Sequence, residues 1–287
     1  MKFRALITET PAMRDFMNIT LSLSKFSKEC VMRITSRRVY FIISEEESGP
    51  RRPLVWCELP VNFYFKEYNV VGVNEQYNEI YLEFSTILLA RSLSMLKQDV
   101  KTFKIKLTNK ESPCLTLEIE LVAGETNRQV VHDIPVEVIS RKHWSDYEEP
   151  RFTDFHVTIH MPNLKALKNI VERMKIMSHS LTVSATKIGR LTLKISTNIV
   201  TLSAHFPDLS VESFAVGQIP TLNNCDDEAE EVVCSTIDIK KMLMFLSGLQ
   251  FNSCRTVCSI VHEKMVKLHL EQPGALTIQI FLTELSI

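Results

Sequence analysis

The chain has 287 residues, 45% of them hydrophobic and 23% charged, with a formal net charge of −1. That is the composition of a well-cored protein with one large domain or two ordinary ones. A near-neutral balance gives no global signal for nucleic acid or membrane, so any such signal has to be local.

From the N-terminus, KFRALI (2–7) alternates as a strand. A helix is predicted from Pro11 to about Ser27, with Thr10 as N-cap and Pro11 at the first helical position. CVMRITSRRVYFIIS (30–44) reads as two strands, and EIYLEFSTILLARSLSML (79–96) as a strand, a cap at Ser85 and a helix. TFKIKLT and CLTLEIEL follow as short strands, then VVHDIPVEVI (130–139). Pro135 has no N–H for a ladder bond, which places this last strand at a sheet edge. The polar stretch ISRKHWSDYEEPRFT (139–153) has no clear period and is read as a connector at 140–153 between domains 1–139 and 154–287.

Past the connector the order starts again. FHVTIHM (155–161) leads into a helix from Pro162 to about Met177, and SLTVSATKIGRLTLKIS (180–196) supplies two strands. VVCSTIDIKKMLMFLSGL (232–249) aligns without gaps on 79–96, with Asp238 in the place of Ser85, and TVCSIVH, MVKLHLE and ALTIQIFLT close the chain. Such self-similarity predicts an α+β protein made of two copies of one domain, each with two helices packed on antiparallel sheet. QIPTLNNCDDEAEE (218–231) reads as an acidic surface loop.

Charge is divided by element type. The four predicted helices and their C-terminal ends carry Arg14, Lys25, Lys28, Arg91, Lys97, Lys101, Lys165, Lys168, Arg173, Lys175, Lys240 and Lys241. Against them stand Asp15, Asp99, Glu172 and the capping Asp238; the compensating acid falls at Glu45–Glu47, Glu148-Glu149 and Asp226–Glu231. Lysines on a helix's solvated face are common and need no ligand. The same bias on four helices in two repeats raises a second reading, a basic surface for a polyanion.

Other chemistry finds little support. Only seven glycines occur, none in a phosphate-cradling pattern. No apolar run approaches the ~20 residues of a membrane span. The opening MKFRALITETPAMRDF carries charges inside any would-be leader core, so no secretory signal is expected. Seven cysteines at 30, 57, 114, 225, 234, 254 and 258 form no paired CxxC framework and predict free thiols in a reducing compartment, the cytosol or the nucleus. His156 and His160 are about 13 Å apart along a strand, too far to share one metal ion. Nothing in these motifs argues for catalysis, and no cofactor or metal is expected; a nuclease built on the acidic clusters would need those loops to converge.

Several short motifs together carry a resemblance. MKFRA, WCEL (56–59), NEIYLE (78–83), KIKLTNK (104–110), PCLT (113–116), HDIPV (132–136) and VERMK (171–175) occur in an order similar to the HUS-type subunits of the nine-one-one checkpoint sliding clamp. That ring is a relative of the replicative clamp PCNA. The resemblance implies a PCNA-like sliding-clamp fold and a heterotrimeric ring with two other checkpoint-clamp subunits. It implies non-sequence-specific contact with double-stranded DNA through the helix cations, and an external ATP-driven clamp loader. It also implies a nuclear, non-enzymatic role in damage signalling and repair, with no membrane partner. The alternative within the same fold is a homotrimeric replicative clamp; outside it, a scaffold whose basic helices bind acidic proteins.

The same resemblance implies that ring closure pairs Val130–Ile139 with the stretch Ile199–Phe206 of a neighbour, making Val130, Val131, Ile134, Val136, Val138, Val200, Leu202, Ala204 and Phe206 interface candidates. It further implies an outer groove for repair and signalling proteins beside the connector, with Ile139, His143, Trp144 and Tyr147 along it. Trp144 has an equally good role as a pin holding the connector to the sheet.

Overall fold

The structure, a computed structural model, describes residues 1–45, 52–122, 128–150, 152, 154–215, 231–248 and 254–285. The acidic runs expected at 46–47 and 226–230, and nearly all of the 218–231 loop, lie outside these residues. The chain divides into two compact units, Met1–Glu149 with Pro273–Thr277, and Pro150–Gln272 with Ile278–Ile287.

The first unit runs β1 (Lys2–Ile7), α1 (Thr10–Phe26), β2 (Glu29–Ile34), β3 (Arg38–Glu45), β4 (Arg52–Pro60), α2 (Val61–Tyr64), β5 (Glu67–Val71), β6 (Ile80–Ser85), α3 (Thr86–Leu93), β7 (Val100–Asn109), β8 (Pro113–Leu121) and β9 (Arg128–Val138). Strand neighbours follow the order β4-β3-β2-β6-β9-β8-β7-β1-β5. The second unit runs β10 (Val157–His160), α4 (Leu164–Met174), β11 (Ser180–Thr186), β12 (Leu191–Ser196), β13 (Thr201–Phe206), β14 (Val211–Phe214), β15 (Val232–Asp238), α5 (Ile239–Gly248), β16 (Arg255–Val261), β17 (Met265–Gln272) and β18 (Leu276–Thr283).

Its strands order as β13-β12-β11-β15 and β14-β10-β16-β17-β18, which are the two halves of the first unit's order repeated strand for strand. Even the join recurs. Ile139 N–H, past β9, donates to Tyr81 O of β6 at 3.0 Å, and Leu285 N–H, past β18, donates to Thr236 O of β15 at 2.8 Å. The one-turn helix α2 has no counterpart between β13 and β14, and the sequence pattern did not predict it.

Helix faces explain the packing. On α1, Ala12, Met13, Phe16, Met17, Ile19 and Leu23 are buried at helical spacing. Phe16 meets Phe41, Tyr64, Phe65 and Phe103 with ring centroids 6.0, 6.4, 6.2 and 6.0 Å away. On α4 the equivalent stripe is Leu167, Val171 and Met174, all fully buried. In each unit the two longer helices lie against each other, α1 on α3 and α4 on α5. Along β7 the alternation is strict: Phe103 and Ile105 are buried toward the helices, while Lys104 and Lys106 turn away.

Helix ends differ from expectation at two places. Met13 N–H bonds to Glu9 O at 3.0 Å, so Glu9 occupies the cap position of α1 and Thr10 is already helical. In α4, Asn163 is the cap, its Oδ1 accepting from Lys165 N and Ala166 N at 2.9 and 3.2 Å; Pro162 stays outside the helix, which ends at Met174. Ser85 and Asp238 cap α3 and α5 as their spacing suggested, with Ser85 accepting from Leu88 N and Asp238 from Lys240 N.

Candidate nucleic-acid interface

Most of the helix cations are on the surface. Arg14, Lys25 and Lys28 are exposed on and just after α1, Arg91 on α3, and Lys97 in the 3-10 turn Ser94–Lys97. Lys165, Arg173 and Lys175 are exposed on and just after α4, and Lys240 on α5. Lys168 and Lys241 are half-buried, and Lys168 Nζ is 3.7 Å from Glu172 one turn along. Lys101 is a correction. It belongs to β7 and bonds Glu120 at 3.1 Å, so it is a sheet residue and adds nothing to the helix charge. Asp15 lies partly buried on α1, and burial raises its carboxyl above the ordinary value.

The sheet face turned away from α1 and α3 handles charge differently, pairing it off. Glu118 receives Lys106 and, at 3.5 Å, Lys104; Glu120 receives Lys101 and Thr102; Asp133 receives Lys110 at 2.6 Å and Thr116 at 2.5 Å. The hydrogen bond from Lys106 is the main reason that the Glu118 carboxyl is held below its usual range. By contrast, Arg14, Lys28, Arg91, Lys97, Lys165, Arg173, Lys175 and Lys240 make no ion pair among the described residues. Net positive charge is therefore left at these eight positions, with no ion partner among the described residues.

Both strands expected at the subunit contact leave a ladder edge open among the described residues. β9 pairs with β8 from Arg128 to Pro135 and with β6 only from Val136 to Val138, so over 128–135 one side has no partner among the described residues. Pro135 stands at the change of partner, where a missing donor costs the ladder least. Val131 is 51% exposed, and Val130 and Val138 are half-buried. Ile134 and Val136, however, are core residues at 2% and 8% exposure, because alternate β9 side chains point under the helices; their side chains cannot form a subunit contact. β13 pairs with β12 and with no other strand among the described residues. Val200 and Leu202 are exposed along it, Ala204 and Phe206 half-buried, and Ile199 at its hairpin tip is 97% exposed.

The connector is pinned. Its Arg141–Tyr147 stretch winds as a 3-10 helix; Trp144 stacks on Tyr81 with centroids 4.6 Å apart, and its Nε1 donates to Ile139 O at 3.1 Å. Tyr147 is buried apart from the part of its surface that lines a cavity, whereas His143 is exposed and Ile139 half-buried. A cavity of about 410 Å³ opens beside it between Val31, Ile42, Ser44, Glu83 and Tyr147.

His156 Nδ1 accepts from the His262 N–H at 3.0 Å, and His160 Nε2 is 2.9 Å from Glu212, so each ring has its own partner. Cys30, Cys57, Cys114 and Cys258 are buried free thiols; burial drives Cys57 well above the usual thiol value and Cys258 up to about 12.

A duplicated unit of two helices over antiparallel sheet, with exposed cations on the helices and open edges at β9 and β13, defines the sliding-clamp fold. Two solved structures share it: Proliferating Cellular Nuclear Antigen from Entamoeba histolytica, with a TM-score of 0.69 and 12% identity over 99% of both chains, and PCNA from Thermococcus kodakaraensis, with a TM-score of 0.65 and 17% identity over 98% and 99%. Within that fold the chain belongs to the Hus1-like protein family, whose sequence profile matches residues 1–286. It is 38% identical to the human checkpoint protein HUS1 over the full length of both, and 30% identical to the Drosophila melanogaster checkpoint protein Hus1-like over 94% of both.

Proposed function

We propose that the chain is a non-enzymatic subunit of a heterotrimeric clamp that encircles duplex DNA in nuclear damage-checkpoint signalling and repair. Two other checkpoint-clamp subunits complete the ring, an ATP-driven loader opens it, and repair and signalling proteins dock beside the connector. The observation that carries this reading is the exposed cationic helix face found in both units of a Hus1-family chain. Phosphate contacts made by such a face are sequence-blind and salt-sensitive, which suits a ring that must slide. The open edges of β9 and β13 support closure by strand pairing between subunits, through backbone groups and through Val131, Val200 and Leu202. The cavity beside Tyr147 supports docking at the connector.

The test has two arms. Co-expression with the two candidate partner subunits should give one copy of each by native mass, and the chain alone should form no stable ring; a self-trimer would favour the homotrimeric clamp. In the assembled ring, Lys25, Lys28, Lys165, Lys168 and Lys175 changed together to Ala should weaken binding to labelled duplex and flatten its salt dependence. Unaltered binding by an intact ring would overturn the DNA assignment.

A further inference from the structure

The two repeats share more than lysine. Setting Pro11 on Pro162 aligns Arg14 with Lys165 and, one helical turn later, Asn18 with Asn169. All four side chains are exposed, while their neighbours Phe16 and Leu167, also equivalent, are buried. Each unit therefore presents a cation and an amide at i and i+4 on the outward stripe of its first long helix, about 6 Å apart along the axis.

Asparagine is a poor choice for such a place. It disfavours helix interiors because its amide competes for backbone groups, and it is tolerated mainly at caps. Asn18 lies in the middle of α1 and Asn169 in the middle of α4. Neither side chain caps an end or has a partner among the described residues; the α4 cap is Asn163. A helix-disfavouring amide placed twice at the same point of a duplicated element, next to an unpaired cation, suggests a ligand outside the chain. An amide NH2 donates hydrogen bonds without charge, and phosphate oxygens are the acceptors that the adjacent cation would draw in.

We propose that Asn18 and Asn169 are phosphate-binding residues, each acting with the cation one turn earlier as a paired clamp on the DNA backbone. This rests on the DNA reading above and adds a distinguishable signature. A neutral donor contributes affinity but releases no counterion, so its loss lowers binding equally at all salt concentrations, whereas loss of the cation lowers the salt slope itself.

The experiment uses the assembled three-subunit ring and a fluorescein-labelled DNA duplex, titrated at a series of NaCl concentrations. N18A/N169A should weaken binding roughly three- to tenfold at every salt, with the slope unchanged. R14A/K165A should weaken it and reduce the slope by about two. Far-UV circular dichroism checks that helix content is kept, and Ala favours it. Wild-type affinity for N18A/N169A, or a loss that vanishes at high salt, would overturn the inference while R14A/K165A still reported DNA contact. If R14A/K165A were also without effect, the DNA reading of these helices would fail with it.

Discussion

The same four-stranded order occurs in both units, yet its helix-free face is built from different chemistry in each. Over β4-β3-β2-β6 that face is aromatic and charged: Tyr40 on Trp56 at 5.3 Å, Arg33 over Tyr40 and Tyr81 at 5.1 and 5.6 Å and bonded to Glu79 at 2.8 Å. Over β13-β12-β11-β15 it is hydroxyl-rich: Thr182 with Thr236 at 2.9 Å, Thr192 with His205 at 3.0 Å, Ser196 with Thr201 at 3.3 Å. Cross-strand pairs of either kind hold a sheet together. Only the aromatic face offers a platform flat and apolar enough to stack Trp144, and that is where the connector is strapped. Topology follows from the inward residues that both units must bury; the outward residues are free to take separate jobs.

The largest test of that division is in the cores. Phe16→Ala should cost about 3–5 kcal/mol in the first unit, because four rings lose their common neighbour, and Leu167→Ala at the equivalent place about 2–5 kcal/mol in the second. Denaturant midpoints check both; an unchanged midpoint in both variants would show that the helices are not anchored by this stripe. Trp144→Ala should cost about 2–3 kcal/mol and release the connector, seen as faster amide exchange over Arg141–Tyr147. Trp144→Phe, which keeps a ring to stack, should recover part of this.

A smaller effect separates the helix starts. Asn163→Ala should destabilise by about 1 kcal/mol, whereas Glu9→Ala should be near neutral, since the Glu9 side chain makes no cap bond.

The smallest effects separate the units by pH. His269 in β17 is held below its ordinary value of 6.5, first by burial and then by Lys267. Its neutral form is the folded one, so its contribution is present above pH 6.5 and is lost as pH falls below it. Glu118 in the first unit is lowered from 4.5, so its contribution is present above that value and is lost only as pH falls through the lower folded one. Urea denaturation across the pH range should show His269→Gln flattening the upper limb and Glu118→Gln the lower.

Much of this was legible in the residues themselves. The gapless match of 79–96 to 232–249 and the two proline-led helices disclosed the duplication, because inward positions are constrained alike in both copies. The caps at Ser85 and Asp238 could be read because short polar side chains precede apolar helices. What stayed hidden depended on contacts distant in sequence. Nothing local says that β9 changes partner at Pro135, or that Ile134 and Val136 therefore belong to the core. Lys101 read as the end of a helix until Glu120, across the ladder, placed it on the sheet. Trp144 was open to two roles, and the ring of Tyr81 decides in favour of the pin.

The buried sulfhydryls give each half of the molecule its own stopwatch. Cys30 and Cys57 lie inside the first unit and Cys258 inside the second, all with desolvated, poorly ionised thiols that an alkylating reagent can reach only when the surrounding strands part. Timed iodoacetamide labelling read by peptide mass would thus clock the opening of either half separately, with no probe introduced.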